Sequence, residues 1–466
     1  MSDLLAAAIL LHGFGQRYDL PASLALYLYA AGGVVVLSFV LVVVFSGDQV
    51  GAKAIQYPRR AVPFLLPIAH SPWPRIVGGT IGVLGLAAIL ITGLFGSSKP
   101  ELNPTEYLVW IYFWAGTVIL SGLIGNLWYL LNPWAAIYDA GTRFIRLRPV
   151  WKLPNVGIWP AVVAYLSFAC LELTTGMANR PWLVATLAAL YSVVTLAGMI
   201  LFGRDEWLEH CEAFTVLFGI VGRFSPLEAE RDAAGRFTAI YLRPWGVGLL
   251  KPATAGWDRV VFVILMLSTL AFDGIIATPD WQNLMIRLEP IWLPYGAWGY
   301  FASRTLGMLL ITSAFLLIFV AFMQAVMYFG TRKVDMKATI TAFALTLVPI
   351  ALVYNAAHNY QYVVVTSQAL IPLINDPLAK GWHLLPAVAG YKPSFLLAQA
   401  STVWFAQIVL IVLGHVVAVY LSHLKAGERF RTAQRALLSQ YPMLVLMVMY
   451  TMTSLWILAQ PVTAGG

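Results

Sequence analysis

Charge is what this sequence most lacks. Asp, Glu, Lys and Arg make up 11% of its 466 residues, against about 25% in a soluble globular protein, too little polar surface to cover a water-soluble fold. Cysteine is nearly absent as well. Cys170 and Cys211 are the only two, which excludes a disulfide framework and any cysteine-based metal or haem-attachment motif. There is no nucleotide-binding loop, zinc-protease helix or serine-hydrolase elbow, so any chemistry must be assembled from residues on separate segments. The net charge of +8 carries no nucleic-acid signal, because the basic residues are distributed by loop rather than gathered in one patch.

What is present is apolar. Hydrophobic residues make up 60% of the chain, and runs of about 20, the length that one spanning helix needs, recur along it. The expected spans are 22–46, 76–96, 105–131, 157–176, 182–203, 260–277, 305–330, 338–365, 395–421 and 441–460. The fold class is therefore all-α: a polytopic transmembrane bundle of about ten helices, one membrane domain over 1–466, with the lipid bilayer as its first partner. The 17 Trp and 21 Tyr residues suit two interfacial aromatic belts.

Lys and Arg give the bundle a direction, since they collect in cytoplasmic loops. Of the 29, only Arg17, Lys99, Arg180, Arg287, Arg304, Lys380 and Lys392 fall on one side of the ten-span arrangement. The rest fall on the other, as in the Lys53, Arg59, Arg60, Arg75 loop and the Lys425, Arg429, Arg431, Arg435 loop. Both termini are thus expected outside the cytoplasm, in a bacterial cytoplasmic membrane. The apolar stretch 4–11 lacks the basic flank and small-residue cleavage site of a signal peptide, and is expected to remain as an extracytoplasmic lead-in.

The longest cytoplasmic segment is 204–259. Trp207, Leu208, Cys211, Phe214, Leu217, Phe218 and Val221 fall on one helical stripe, with Asp205, Glu206, Glu209 and Glu212 on or beside the other face. The pattern predicts an amphipathic helix along the inner surface. Residues 237–242 read as a short strand or a re-entrant turn. Asn132-Pro133-Trp134 reads as the end of the third span, with proline stopping the helix and tryptophan anchoring the interface.

Ionisable side chains at membrane depth are costly and mark sites, pathways or buried pairs. Four acidic or histidine side chains lie at least four residues inside the spans: Glu172, Asp273, His358 and His415. Glu172, Asp273 and His358 fall toward the outer ends of their helices, and His12 and Asp19 precede the first span on the same side. His358, Asp273 and Glu172 are the candidate catalytic residues. His12, His358, Glu172 and Asp273 are the candidate ligands of a divalent metal such as Zn or Cu, since imidazole and carboxylate suit both. Equally, each group can be satisfied separately by hydrogen bonds between helices. Asn355, His358 and Tyr362 share a face at helical spacing. His415 lies roughly 20 Å from His358 in depth, at 1.5 Å of rise per residue. The two histidines are a poor haem pair, haem is disfavoured, and His415 is expected to bond a neighbouring helix.

These landmarks resemble a family of bacterial polytopic proteins known as the membrane component of fenitrothion hydrolase. The matching stretches are His12-Gly-Phe-Gly-Gln-Arg-Tyr-Asp-Leu-Pro21, Leu131-Asn-Pro-Trp134, Glu212-Ala-Phe214, Ala271-Phe-Asp-Gly274, Ser367-Gln-Ala-Leu370 with Asp376-Pro377, and Gly414-His-Val416. They follow one another along nearly the whole chain, and the first is the most specific. The resemblance implies hydrolysis of an organophosphorus ester together with a partner subunit, in the membrane or outside the cytoplasm. Three functions follow as expectations. The first is a membrane-embedded phosphotriester hydrolase or a subunit of one. The second is a transporter or channel for a metal ion or small solute, with a polar path running inward toward Gln324 and His415. The third is a redox or scaffold subunit without chemistry of its own.

Overall fold

The computed structural model describes residues 22–45, 57–145, 147–331, 334–430 and 432–463. Among these, nine helices are long and apolar enough to cross a membrane. They are α1 (Leu24–Phe45), α2 (Trp73–Phe95), α3 (Pro104–Leu123), α5 (Pro181–Phe202), α8 (Trp257–Ile276), α9 (Gly296–Gly330), the pair α10 (Met336–Leu345) and α11 (Val348–His358), α12 (Ala400–Arg429) and α13 (Ala433–Thr463). The segment expected to be the fourth span is α4, Trp159–Thr174, an apolar helix of 16 residues. At about 24 Å it is shorter than a hydrocarbon core of about 30 Å. The all-α bundle expected from the apolar runs is what forms.

The helix ends have local causes. α10 and α11 part at Thr346–Leu347 because Pro349 has no N–H and its ring crowds the carbonyl four residues back. Asp335 caps α10 by accepting from Ala338 N at 3.1 Å. α9 starts at Gly296, nine residues before the expected Thr305, and its 35 residues extend about 53 Å. The middle of α3, Tyr107–Gly116, is π-helical, and Thr117 Oγ1 donates five residues back to Tyr112 O at 2.9 Å.

The chain divides into two compact units. The first holds α1, α8–α11, α12 and α13. Within it α12 and α13 pack along each other, α11 lies on α12, α9 lies on α13, and α1 touches both α12 and α13. α11 and α12 run antiparallel: Gln407 Nε2 donates to Ala357 O at 3.1 Å, while Gly414 sits against Val353.

The second unit spans residues 57–248 and 365–394. In it α2 meets its neighbour through Gly78 and Gly82, one helical turn apart. A Cβ on Gly82 would lie 1.8 Å from Leu131 O, and one on Gly78 would lie 2.8 Å from Leu130 O, so only glycine permits this approach. Asn132-Pro133 begins a helix rather than ending the third span: α3 stops at Leu123, and the Asn132 side chain caps Pro133–Gly141 by accepting from Ala135 N. Trp134 is buried and donates to Ser192 Oγ at 2.8 Å, so it is a core residue and not an interface anchor.

The single amphipathic helix expected from residue 204 onward is two helices, α6 (Arg204–His210) and α7 (Ala213–Gly222). α5 gives way to α6 at Gly203, whose φ of 98° suits glycine. α7 is not an interfacial helix with a polar face. Ala213, Phe214, Val216, Leu217, Phe218 and Val221 are all buried, and α7 packs on α4 and on Thr117–Leu123.

Residues 237–242 form a strand. β3 (Phe237–Leu242) lies between β1 (Arg60–Ala61) and β2 (Leu227–Arg231), antiparallel to both. At the base of this sheet Arg243 Nη1 meets Glu228 Oε2 at 2.8 Å, with the side chains 5% and 3% exposed. Arg243 also donates to Ser225 O and Arg223 O, and Glu228 accepts from Tyr57 and Arg59. Burial, and then the Glu228 carboxylate that it donates to, push the Tyr57 phenol above its usual range. Removing one member of a buried pair leaves the other charge uncompensated, at a cost of about 3–5 kcal/mol. Glu228→Ala is therefore expected to lower the stability of this unit by roughly 3 kcal/mol, read as the shift in detergent-solubilised thermal unfolding. The Glu228→Leu, Arg243→Met double variant is expected to recover much of the loss.

Candidate functional site

Asp273 and His358 are brought together. Asp273 lies in the last turn of α8, and His358 is the last residue of α11. Their packing places His358 Nε2 2.9 Å from Asp273 Oδ2, with side chains 15% and 18% exposed. Most of both groups is thus shielded. Tyr354, one turn before His358, stacks on the imidazole at an interplanar angle of 9° and a centroid separation of 6.0 Å. Gly274 makes room for that ring, since a Cβ there would lie 2.5 Å from Tyr354 Oη. The Asp273-Gly274 dipeptide thereby supplies a carboxylate for the imidazole and a gap for the tyrosine beside it.

Of the face expected to carry Asn355, His358 and Tyr362, only part forms. α11 ends at His358, and Asn359 turns back to donate to Asn355 O and Asn355 Oδ1. Tyr354 is the ring against His358, and its hydroxyl is buried and makes no hydrogen bond. No residue pattern distinguished it from the surrounding apolar residues; its role depends on the glycine opposite.

Glu172 is a partly buried residue of α4, in the second unit. His12 and Asp19, with the motif that contains them, lie outside the described residues. Among the described residues no three of His, Cys, Asp and Glu gather into a metal-ligating group. Asp273 and His358 offer one oxygen and one nitrogen, fewer than the three protein ligands of a catalytic zinc centre. The described donors do not by themselves fit a catalytic metal.

His415 is fully buried in α12, and its Nδ1 lies 2.8 Å from Ile411 O. The partner is thus a carbonyl of its own helix, not the neighbouring helix expected. His415 is eight residues along α12 from Gln407, which is level with Ala357. The axial offset from His358 is therefore about 12 Å rather than 20 Å. Gln324 is exposed and does not line the interior of the first unit.

A second concentration of polar chemistry surrounds Glu212, which is 1% exposed. Its carboxylate accepts from Phe214 N at 2.9 Å, Thr215 N at 2.7 Å, Tyr191 Oη at 2.7 Å and Trp128 Nε1 at 3.3 Å, and also from Thr215 Oγ1. Phe113, Trp128, Trp134, Tyr191, Phe214 and Phe218 form edge-to-face and tilted contacts around it. Charge periodicity places Glu212 on a solvated face, but the fold makes it the cap of α7. The one signal for this is local: an acidic residue just before a run of apolar helix formers reads as an N-cap.

No protein-family model, no curated protein and no solved structure matches this chain.

Proposed function

We propose that the chain is a ten-span protein of a bacterial cytoplasmic membrane with both termini outside, and that the Asp273–His358 pair is its reactive centre. On this reading α4 is the fourth of the ten crossings, and the pair lies in the outer half of the bilayer. The observation that carries the proposal is the 2.9 Å contact between a carboxylate and an imidazole on two apolar helices. A carboxylate so placed orients an imidazole and stabilises its protonated form, which is the arrangement that general-base catalysis uses.

The resemblance to the fenitrothion hydrolase membrane component supplies the reaction class, hydrolysis of an apolar phosphotriester drawn from the outer leaflet. Water forms a new P–O bond, the ester P–O bond breaks, and the leaving group departs with the electron pair. The proton lost by water passes to His358, and Asp273 balances the charge. The same resemblance implies a partner subunit, which would complete the centre.

The test is release of p-nitrophenolate from a p-nitrophenyl phosphotriester by the protein in lipid nanodiscs, alone and with co-purifying partners. Hydrolysis that falls in His358→Gln and Asp273→Asn supports the reading. Equal hydrolysis in the native protein and both variants refutes it. The transport reading has its own observation, the buried polar residues of α12.

A further inference from the structure

Besides Arg429 Nε in its last turn, four buried side-chain atoms of α12 make no hydrogen bond: Trp404 Nε1, Gln407 Oε1, His415 Nε2 and Ser422 Oγ. The residues are separated by three, eight and seven positions, so at 100° per residue they share one face of the helix. That face is buried, with the four residues 0%, 1%, 0% and 4% exposed. Phe405, Val409 and Leu413, on the other side of α12, are exposed. From Trp404 to Ser422 the stripe runs about 27 Å, close to the thickness of a hydrocarbon core.

A buried polar atom without a partner costs about 1–3 kcal/mol, and native proteins hold few of them. Four on one stripe of one helix call for a common cause. α11, antiparallel and packed on α12, adds Asn355 Nδ2, also buried and unbonded, at a level between Gln407 and Gly414. The set mixes donors (Trp404, Asn355), acceptors (Gln407, His415) and a hydroxyl that can be either. A bare cation would be repelled by the donors. Water both donates and accepts, and bridges such groups when buried.

We propose that this stripe carries a chain of water molecules that moves protons through the first unit, with His415 as its relay. His415 Nδ1, hydrogen-bonded to Ile411 O, keeps its proton. Nε2 accepts a proton from the water on one side, and the imidazolium releases a proton from Nε2 to the water on the other. The ring returns to its starting form, with no net bond made or broken in the protein. One end of the track lies beside Ala357, the residue before His358, and so reaches the level of the Asp273–His358 pair. The other end reaches Ser422 and then His423, whose Nδ1 lies 2.8 Å from Gln440 Oε1. Of the charged groups at that end, Lys425 and Glu428 are paired with each other, and Arg429 stands in the last turn of the helix. The proposal rests on the membrane-spanning reading and not on the hydrolytic one.

The experiment uses the full chain in liposomes that enclose a pH-sensitive dye, with a potassium gradient and valinomycin to drive proton entry. The native protein is expected to move protons several times faster than protein-free vesicles, since histidines at membrane depth serve as proton relays. His415→Leu is expected to bring the rate back to the protein-free level. Gln407→Leu and Ser422→Val should slow it even where His415→Leu folds poorly, and Phe405→Leu on the exposed face should leave it unchanged. Native flux equal to that of empty vesicles overturns the proposal. So does flux that survives in correctly folded His415→Leu, Gln407→Leu and Ser422→Val. Loss of phosphotriester hydrolysis in His358→Gln with proton flux retained would separate the relay from the hydrolytic centre.

Discussion

Glu212→Ala is expected to destabilise the second unit by roughly 3–5 kcal/mol, because it strands several buried donors at once. An N-cap carboxylate alone is worth about 0.5–2 kcal/mol. Here the same carboxylate also accepts from Tyr191 and Trp128, and Trp128 and Phe214 are buried within the aromatic shell. Hydrogen bonds to a charged group contribute about 1.5–3 kcal/mol each, not additively. Glu212→Gln keeps the shape but turns an NH2 group toward a shell made of donors, so its loss should fall between zero and that of alanine. Thermal unfolding in detergent, followed by near-ultraviolet circular dichroism of the tryptophans, reads both. An alanine variant within about 0.5 kcal/mol of the native protein, the range of an ordinary surface change, would show that Glu212 does not organise the unit.

Substitution in the pair should act on chemistry and leave folding largely intact. His358→Gln removes the base, and a positioned base contributes about 10²–10⁴-fold to a rate. A loss of that size in phosphotriester turnover is expected. Asp273→Asn keeps the volume but offers the imidazole no negative charge. It is expected to lower turnover by a similar factor, because the imidazolium formed in the transition state loses its counter-charge. Both side chains are partly exposed, so neither change leaves a fully buried charge without its partner. Unfolding temperatures near the native value, alongside the lost turnover, would assign the effect to the pair itself.

The apolar helices were legible because hydropathy over about 20 residues is a property of the segment alone. Nine of the expected spans correspond to helices of membrane length, and α4 matches the remaining one at reduced length. The Asp273–His358 pair was legible only as two ionisable residues at similar depth. That they touch follows from how α8 and α11 pack, with Gly274 opposite Tyr354, and no one-dimensional pattern carries that information. The amphipathic reading of 204–221 failed for a related reason. The apolar stripe continues smoothly across Cys211 and Glu212, but the chain breaks there, because the Glu212 carboxylate caps α7 from inside an aromatic cluster. Gln324 and Gln407 are alike in sequence, each a lone glutamine in an apolar run. Only helix packing exposes the first and buries the second.

The proposed direction of the bundle carries the rest of the account, since on that reading the Asp273–His358 pair lies toward the outside. Single cysteines test it in a chain with Cys170→Ser and Cys211→Ser. The background from Cys211 is already low, because the residue is buried and burial pushes its thiol up to about 11. Asp280, just beyond the α8 end that carries Asp273, and Lys380 are exposed, as are Arg236 and Arg435. In intact bacterial cells, a maleimide that cannot cross the cytoplasmic membrane should label Asp280→Cys and Lys380→Cys, and should reach Arg236→Cys and Arg435→Cys only after the membrane is opened. Labelling of Arg236→Cys and Arg435→Cys in intact cells, with Asp280→Cys and Lys380→Cys protected, would invert the bundle and contradict the account.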